Sequence, residues 1–167
     1  MGINLKKFAV KRSILSAFGA GIVNLIIVYF TLASYGSVPL FASVAEIWNH
    51  SLIGALIPRS IVISLFITIT TVFATVKEAT GGSEIILKKL KQTSWIKIVA
   101  TKALIRAFIA FMSVILIASI MRLLFPTYTT LTVSTVIPIV VIFSALVAFS
   151  MTYSAVMSTG KILDINK

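Results

Sequence analysis

Residues 51–76 of this chain read SLIGALIPRSIVISLFITITTVFATV and contain one charged side chain, Arg59. A run of this length and polarity crosses a hydrocarbon core about 30 Å thick when it is helical. A helix is expected because a lone strand would leave backbone N–H and C=O groups without hydrogen bonds in lipid. These residues therefore predict a membrane-spanning helix.

Three further stretches share this character, being apolar, nearly free of charge and long enough to span a bilayer: residues 13–34, 98–124 and 131–158. Of all 167 residues, 59% are hydrophobic and 11% are charged, against roughly 25% charged in soluble domains. This composition excludes a soluble globular domain. We predict an all-α polytopic membrane protein, a single four-helix transmembrane bundle formed by residues 1–167.

The basic residues predict the orientation of the bundle. The formal net charge is +11, and all but two of the 15 Lys and Arg residues flank the same ends of the four runs. The exceptions are Arg59 and Arg122. Because basic loops are retained in the cytoplasm, both termini and the connector 77–97 are predicted to be cytoplasmic. Retention in the cytoplasm explains the positive charge, so we expect no nucleic-acid partner. We place the protein in a bacterial cytoplasmic membrane.

The two halves of the chain share a register of prolines and small residues. A displacement of 80 positions places Pro58 on Pro138, and one of 90 positions places Ala17 on Ala107. We predict a duplicated hairpin, at residues 8–77 and 98–160, with chance similarity between apolar helices as the alternative. Both prolines are predicted to kink their helices, because proline cannot donate to the carbonyl four residues earlier.

Small residues recur at helical spacing in the first and third runs. They form one face in each run and predict close helix packing between these two faces. The residues are Ser13, Ala17, Ala20 and Asn24 in the first run, and Ala103, Ala107 and Ala110 in the third.

Arg59 is the first candidate binding residue. It lies about 12 Å along the helix from the start of its run, where a charge is costly. We predict that it binds an anionic lipid headgroup or an anionic solute. The alternatives are that it reaches the lipid phosphates or pairs with Glu46.

Uncharged polar residues supply the other candidates. Asn24 is expected to make an interhelical hydrogen bond, with contact to a solute as the alternative. Ser64 and Thr68 belong to a hydroxyl stripe in the second run. Such hydroxyls either bond to carbonyls of their own helix or a neighbour, or they line a solute path.

Two segments between the runs carry interfacial signals. Trp48 is predicted to anchor at the headgroup level. Glu46 is a further candidate for solute or lipid binding. It shares a helix face with His50, and pairing of the two on the helix surface is the alternative. Two ligands are too few for a structural metal site, so no metal is expected. In the connector, a basic amphipathic helix is predicted to bind anionic lipids, or alternatively a soluble partner. Its interfacial lysines are Lys88, Lys89 and Lys91.

The first hairpin resembles small bacterial two-helix membrane-hairpin proteins of unknown function. The likeness covers residues 8–77 and implies a membrane hairpin without implying an activity. It rests on a layout of small and aromatic residues, with Asn24, Tyr35-Gly36, Phe41, Trp48 and Pro58 in this order.

No catalytic signature occurs, so we predict neither an enzyme nor a cofactor. The chain lacks cysteine, a phosphate-binding loop, a His-Glu-x-x-His motif and a carboxylate within a run, and the last of these removes a common proton-coupling device. The predicted function is a transporter or channel for a small or anionic solute, working as an oligomer. The alternative is an accessory, scaffold or immunity-type protein that acts through helix contacts with a membrane-protein partner.

Overall fold

The computed structural model describes residues 4–41, 51–79, 81, 95–125 and 129–163. Four long helices and two short strands account for most of them. Each helix is long and apolar enough to cross a membrane, which confirms the prediction of four apolar helices. In chain order the elements are α1 Leu5–Leu32, β1 Ser37–Pro39, α2 Leu52–Ala79, α3 Trp95–Leu124, β2 Thr130–Thr132 and α4 Val133–Ile162.

Side-chain caps mark the start of two helices. The Asn4 Oδ1 atom accepts a hydrogen bond from the Lys7 amide at 3.0 Å, and the Ser51 Oγ atom accepts one from the Gly54 amide at 3.0 Å. Each cap satisfies an amide that has no partner within its helix. The helices α2 and α4 both continue through their prolines, Pro58 and Pro138.

Each extensive helix interface joins a helix from one half of the chain to a helix from the other half. The helix α1 packs on α4, α3 packs on α2, and α2 packs on α4 in the centre. At one end, hereafter the terminal end, Leu5 and Ala9 of α1 lie against Val156 of α4. Within the described residues, the two helices of each predicted hairpin, α1 with α2 and α3 with α4, do not share an extensive interface.

The small-residue faces of α1 and α3 do not meet. Ser13 and Asn24 are buried on α1, and Ala103, Ala107 and Ala110 are buried on α3. Because α1 packs on α4 and α3 on α2, each face serves a different interface. The expectation that the two faces contact each other is therefore wrong.

The two strands connect the halves of the chain by backbone pairing at the opposite end, hereafter the strand end. Strands β1 and β2 pair antiparallel, with Val38 opposite Leu131. The ladder extends to a bond of 2.8 Å from the Leu40 amide to the Thr129 carbonyl. Val38 and Leu40 are buried in a cluster with Val136 of α4. The segments before α2 and α4 thus close one end of the core.

Burial follows the displacement of 80 positions between α2 and α4. Leu56, Ser60 and Ser64 are buried, and so are the equivalent Val136, Val140 and Ser144. When α1 is matched with α3 and α2 with α4, the packed pair α1–α4 corresponds to the packed pair α3–α2. The remaining pair, α2–α4, then joins two matched helices, one from each half. The arrangement is consistent with an internal repeat, and the duplication itself stays a prediction.

Candidate functional site

The candidate site lies between α1 and α2, which run side by side without packing closely. A groove of about 590 Å³ separates them and is lined mostly by apolar side chains. Several of these side chains are exposed, Val62 by 63% and Phe66 by 68%, so the groove opens sideways. We name this space the apolar groove; its polar lining residues are Ser16, Asn24, Arg59 and Thr70.

A second cavity lies between the same two helices nearer the terminal end. It measures about 510 Å³ and is lined by charged residues of both helices, including Arg12, Lys77 and Glu78. We name it the charged groove. Phe8 and Ala74 complete its walls. The two grooves follow the facing sides of α1 and α2 over most of their length.

Arg59 stands at the strand-end side of the apolar groove and is half-buried. Its Nη1 atom donates to the carbonyl of Ala55 at 2.6 Å, while its Nε atom is buried without a partner among the described residues. The adjacent Pro58 has no amide hydrogen for the Gly54 carbonyl. The Arg59 guanidinium thus bonds within its own helix turn, and its Nε donor, beside the groove, has no described partner.

Asn24 lines the same groove as Arg59. The residue is 4% exposed, and its Nδ2 atom donates to the Ala20 carbonyl of its own helix at 2.9 Å. The Nδ2 atom of Asn24 therefore bonds within its own helix and does not make the expected interhelical hydrogen bond. The structure brings together two of the residues that the sequence singled out, one from each wall.

Ser64 and Thr68 do not line the groove. Both are fully buried on the side of α2 that packs on α3 and α4, and their hydroxyls have no partner among the described residues. Elsewhere in the stripe, Ser60 donates to the Ile57 carbonyl at 2.7 Å and Thr75 to the Thr71 carbonyl at 2.8 Å. Their role as solute ligands stays a prediction.

The groove also contains residues that sequence reasoning missed. Ser16 and Thr70 place hydroxyls in it, and Gly19 lies in its wall. The signal was present in α1, where Ser16, Ala20 and Asn24 follow at spacings of four. Ala20 and Asn24 therefore belong both to the small-residue face predicted from the sequence and to the wall of the groove.

Several predicted residues fall outside the described part of the chain. These are Glu46, Trp48 and His50 before α2, and Lys88, Lys89 and Lys91 in the connector. Among the residues that the structure describes, no three metal-ligating side chains come together.

No protein-family model, curated protein or solved structure matches this chain. The resemblance to two-helix hairpin proteins therefore stays a prediction. The fold itself defines the class: four helices with the length and apolar character of membrane spans suggest a multi-pass membrane protein.

Proposed function

We propose that this chain is a bacterial cytoplasmic membrane protein, with both termini in the cytoplasm, that moves an amphiphilic anion along the cleft between α1 and α2. The observation that carries the proposal is the apolar groove with Arg59 at one end. The function follows the prediction of a transporter for an anionic solute and narrows the solute to one with an apolar part.

The lining of the groove supports an amphiphile over a hydrated ion. Val23, Ile27 and Val62 offer no hydrogen bonds along its walls, so a small ion would lose its water without replacement. An acyl or aromatic group gains from such walls. The negative group of the solute is then placed beside the guanidinium of Arg59, whose donors favour phosphate and carboxylate oxygens.

The charged groove supports passage along the cleft. Arg12 and Lys77 lie between the same helices near the terminal end, so basic groups stand towards both ends of the cleft. An anionic headgroup would leave Arg59 for Arg12 while its apolar part stays between the helices. The open side of the cleft lets lipid or a second copy of the chain form the remaining wall, as expected for an oligomer.

The test is translocation in proteoliposomes. Fluorescent nitrobenzoxadiazole-labelled phosphatidylglycerol is the probe, its phosphatidylcholine analogue is the comparison, and quenching by dithionite reports the accessible leaflet. We expect faster exchange of the phosphatidylglycerol probe, and a loss of about tenfold in Arg59→Gln, equivalent to about 1.4 kcal/mol. Arg122→Gln is the matched control because Arg122 is exposed at the strand end of α3. Equal rates in the wild type and Arg59→Gln would refute the proposal.

A second candidate is an accessory protein that receives a helix of another membrane protein in the cleft. Small residues in the α1 wall favour it, since a Cβ atom added at Gly19 would meet nothing within 4 Å, and small residues allow close helix approach. Native mass spectrometry of protein released gently from its own membranes separates the two. A one-to-one complex with a different membrane protein, lost in Gly19→Leu and kept in Arg59→Gln, would favour the accessory role.

A further inference from the structure

A second basic group lies inside the bundle, on α3, away from the cleft. Arg106 is 7% exposed and lies about two helical turns beyond Val99, in the half of α3 nearer the terminal end. Lys102 precedes it by one turn on the same face and is half-buried. A buried arginine in a membrane span usually serves a ligand path or a specific partner.

The Arg106 side chain extends from α3 to α4, where it donates hydrogen bonds to two serines. Its Nη2 atom donates to the Ser158 hydroxyl at 2.6 Å and to the Ser154 carbonyl at 3.0 Å. Its Nε atom donates to the Ser154 hydroxyl at 3.4 Å. Within the described residues α3 and α4 do not share an extensive interface, and this side chain links the two helices by hydrogen bonds. We name Lys102, Arg106, Ser154 and Ser158 the Arg106 cluster.

The charge in this cluster is not balanced within the described residues. Arg106 bonds there only to serine oxygens, and Lys102 repels it. The Nη1 atom of Arg106 is buried and donates to nothing in the described structure. Two neighbouring cations and a guanidinium N–H without a described partner are groups that bind an oxyanion, while the Ser158 hydroxyl, which donates to the Ala155 carbonyl at 3.2 Å, holds the guanidinium in place.

The arginine–serine contact is not repeated at the equivalent positions of the first half. Arg12 stands for Lys102 there, whereas Ser16 stands for Arg106 and Glu78 for Ser158. The basic residue at the position of Lys102 is thus common to both halves, and the arginine of the cluster is present in the second half only.

We infer that the Arg106 cluster binds a phosphate-type oxyanion, and that the headgroup of an anionic phospholipid supplies it. The position favours a lipid, because Ser158 lies one turn before the end of α4 at the terminal end, where the helices reach the headgroup region. Free phosphate has the same chemistry and is the other source to be tested. The site does not depend on the cleft between α1 and α2.

Native mass spectrometry of the full chain in phosphatidylcholine, with phosphatidylglycerol added, measures the binding. We expect a phosphatidylglycerol adduct that survives delipidation and falls about tenfold or more in Arg106→Gln, because charge-assisted hydrogen bonds to the phosphate are lost. Lys102→Gln should reduce it less. Lys97→Gln is the matched control, since Lys97 is an exposed cation near the same end of α3. All variants are compared in an Arg59→Gln background, which removes the phosphatidylglycerol that the proposed function places in the cleft and so separates this inference from the proposed function.

Two further experiments identify the source of the bound oxyanion and control for variants that do not fold. Inorganic phosphate added at millimolar concentration to the protein loaded with phosphatidylglycerol would displace the lipid if the anion were soluble, and would have little effect if the headgroup is the ligand. Ser158→Ala and Arg106→Lys preserve a folded bundle if Arg106→Gln does not, and both should weaken the adduct. An adduct unchanged in all three variants, or reduced equally by Lys97→Gln, overturns the inference and leaves Arg106 as a link between α3 and α4.

Discussion

Two arginines inside the bundle lack a carboxylate partner among the described residues. A charged side chain at the centre of a membrane helix costs about 2.5–3.5 kcal/mol on insertion scales. Arg59 reduces this cost by donating to the Ala55 carbonyl, and Arg106 does so by donating to Ser154 and Ser158. Each still keeps one buried nitrogen without a described partner. An anionic ligand would offset the remaining cost at either residue.

The buried hydroxyls give a prediction at the residue scale. The Thr68 hydroxyl is buried without a partner, so Thr68→Val should leave stability unchanged or raise it by up to about 1 kcal/mol. Thr75→Val, the matched control, loses a bond of 2.8 Å to the Thr71 carbonyl and should lose stability. Thermal unfolding in detergent measures both. Translocation should be unaffected in Thr68→Val, and a clear drop would instead place Thr68 on the solute path.

Gly160 and Gly19 form a second matched pair. A Cβ atom at Gly160 would overlap the side chain of Leu5, whereas one at Gly19 would meet nothing. Gly160→Ala should therefore lower the unfolding temperature, because overpacking costs about 1–3 kcal/mol against a gain of about 1 kcal/mol in helix propensity. Gly19→Ala should raise it. Destabilisation by Gly19→Ala and not by Gly160→Ala would contradict the packing of α1 on α4.

At the scale of elements, the main feature is the exchange of helix partners. The pairs α1–α4 and α3–α2 hold the two halves together, and β1 pairs with β2 across them. The exchange leaves the helices of each predicted hairpin apart. This separation creates the cleft between α1 and α2, and on the other side Arg106 of α3 hydrogen-bonds to Ser154 and Ser158 of α4.

Cross-linking tests this exchange directly, because the chain has no cysteine of its own. A Cβ atom at Gly21 would lie 4.0 Å from the Cβ atom of Ala145, within the range of about 3.5–4.5 Å that a disulfide requires. The double variant Gly21→Cys, Ala145→Cys should therefore oxidise readily within one chain. Ser16→Cys with Phe66→Cys, across the cleft, should cross-link poorly. The reverse preference would show that α1 packs on α2.

At the scale of the whole molecule, the distribution of charge predicts how the bundle lies in the membrane. The terminal end carries Lys6, Lys7 and Lys161, and the strand end of the described chain carries Arg122. The positive-inside rule predicts that the terminal end faces the cytoplasm. Anionic lipid bound at the Arg106 cluster would then come from the inner leaflet.

Single cysteines labelled by a membrane-impermeant maleimide measure the orientation. Ser37 and Lys161 are exposed at opposite ends of the bundle. Ser37→Cys should react in intact cells, and Lys161→Cys should react only after the membrane is opened. Labelling of Lys161→Cys in intact cells would invert the orientation, and the headgroup at the Arg106 cluster would then come from the outer leaflet.

The sequence by itself determined the number and positions of the spanning helices. Hydropathy is a local property, and the bilayer sets the length that an apolar run must have. It also singled out Arg59 and Asn24, because polar groups stand out against apolar neighbours. The structure adds that both residues line one groove.

Only the tertiary structure decided which helices pack together and which face of each helix meets the cleft. Helices that are apolar nearly all round carry little amphipathic signal to mark their buried side. The hydroxyl stripe with Ser64 and Thr68 was therefore compatible with a packed face and with a solute path, and the structure buries it. In lipid, helix pairing depends on close packing and hydrogen bonds, because burial from water offers no preference between partners. The opening of the cleft follows from that packing alone.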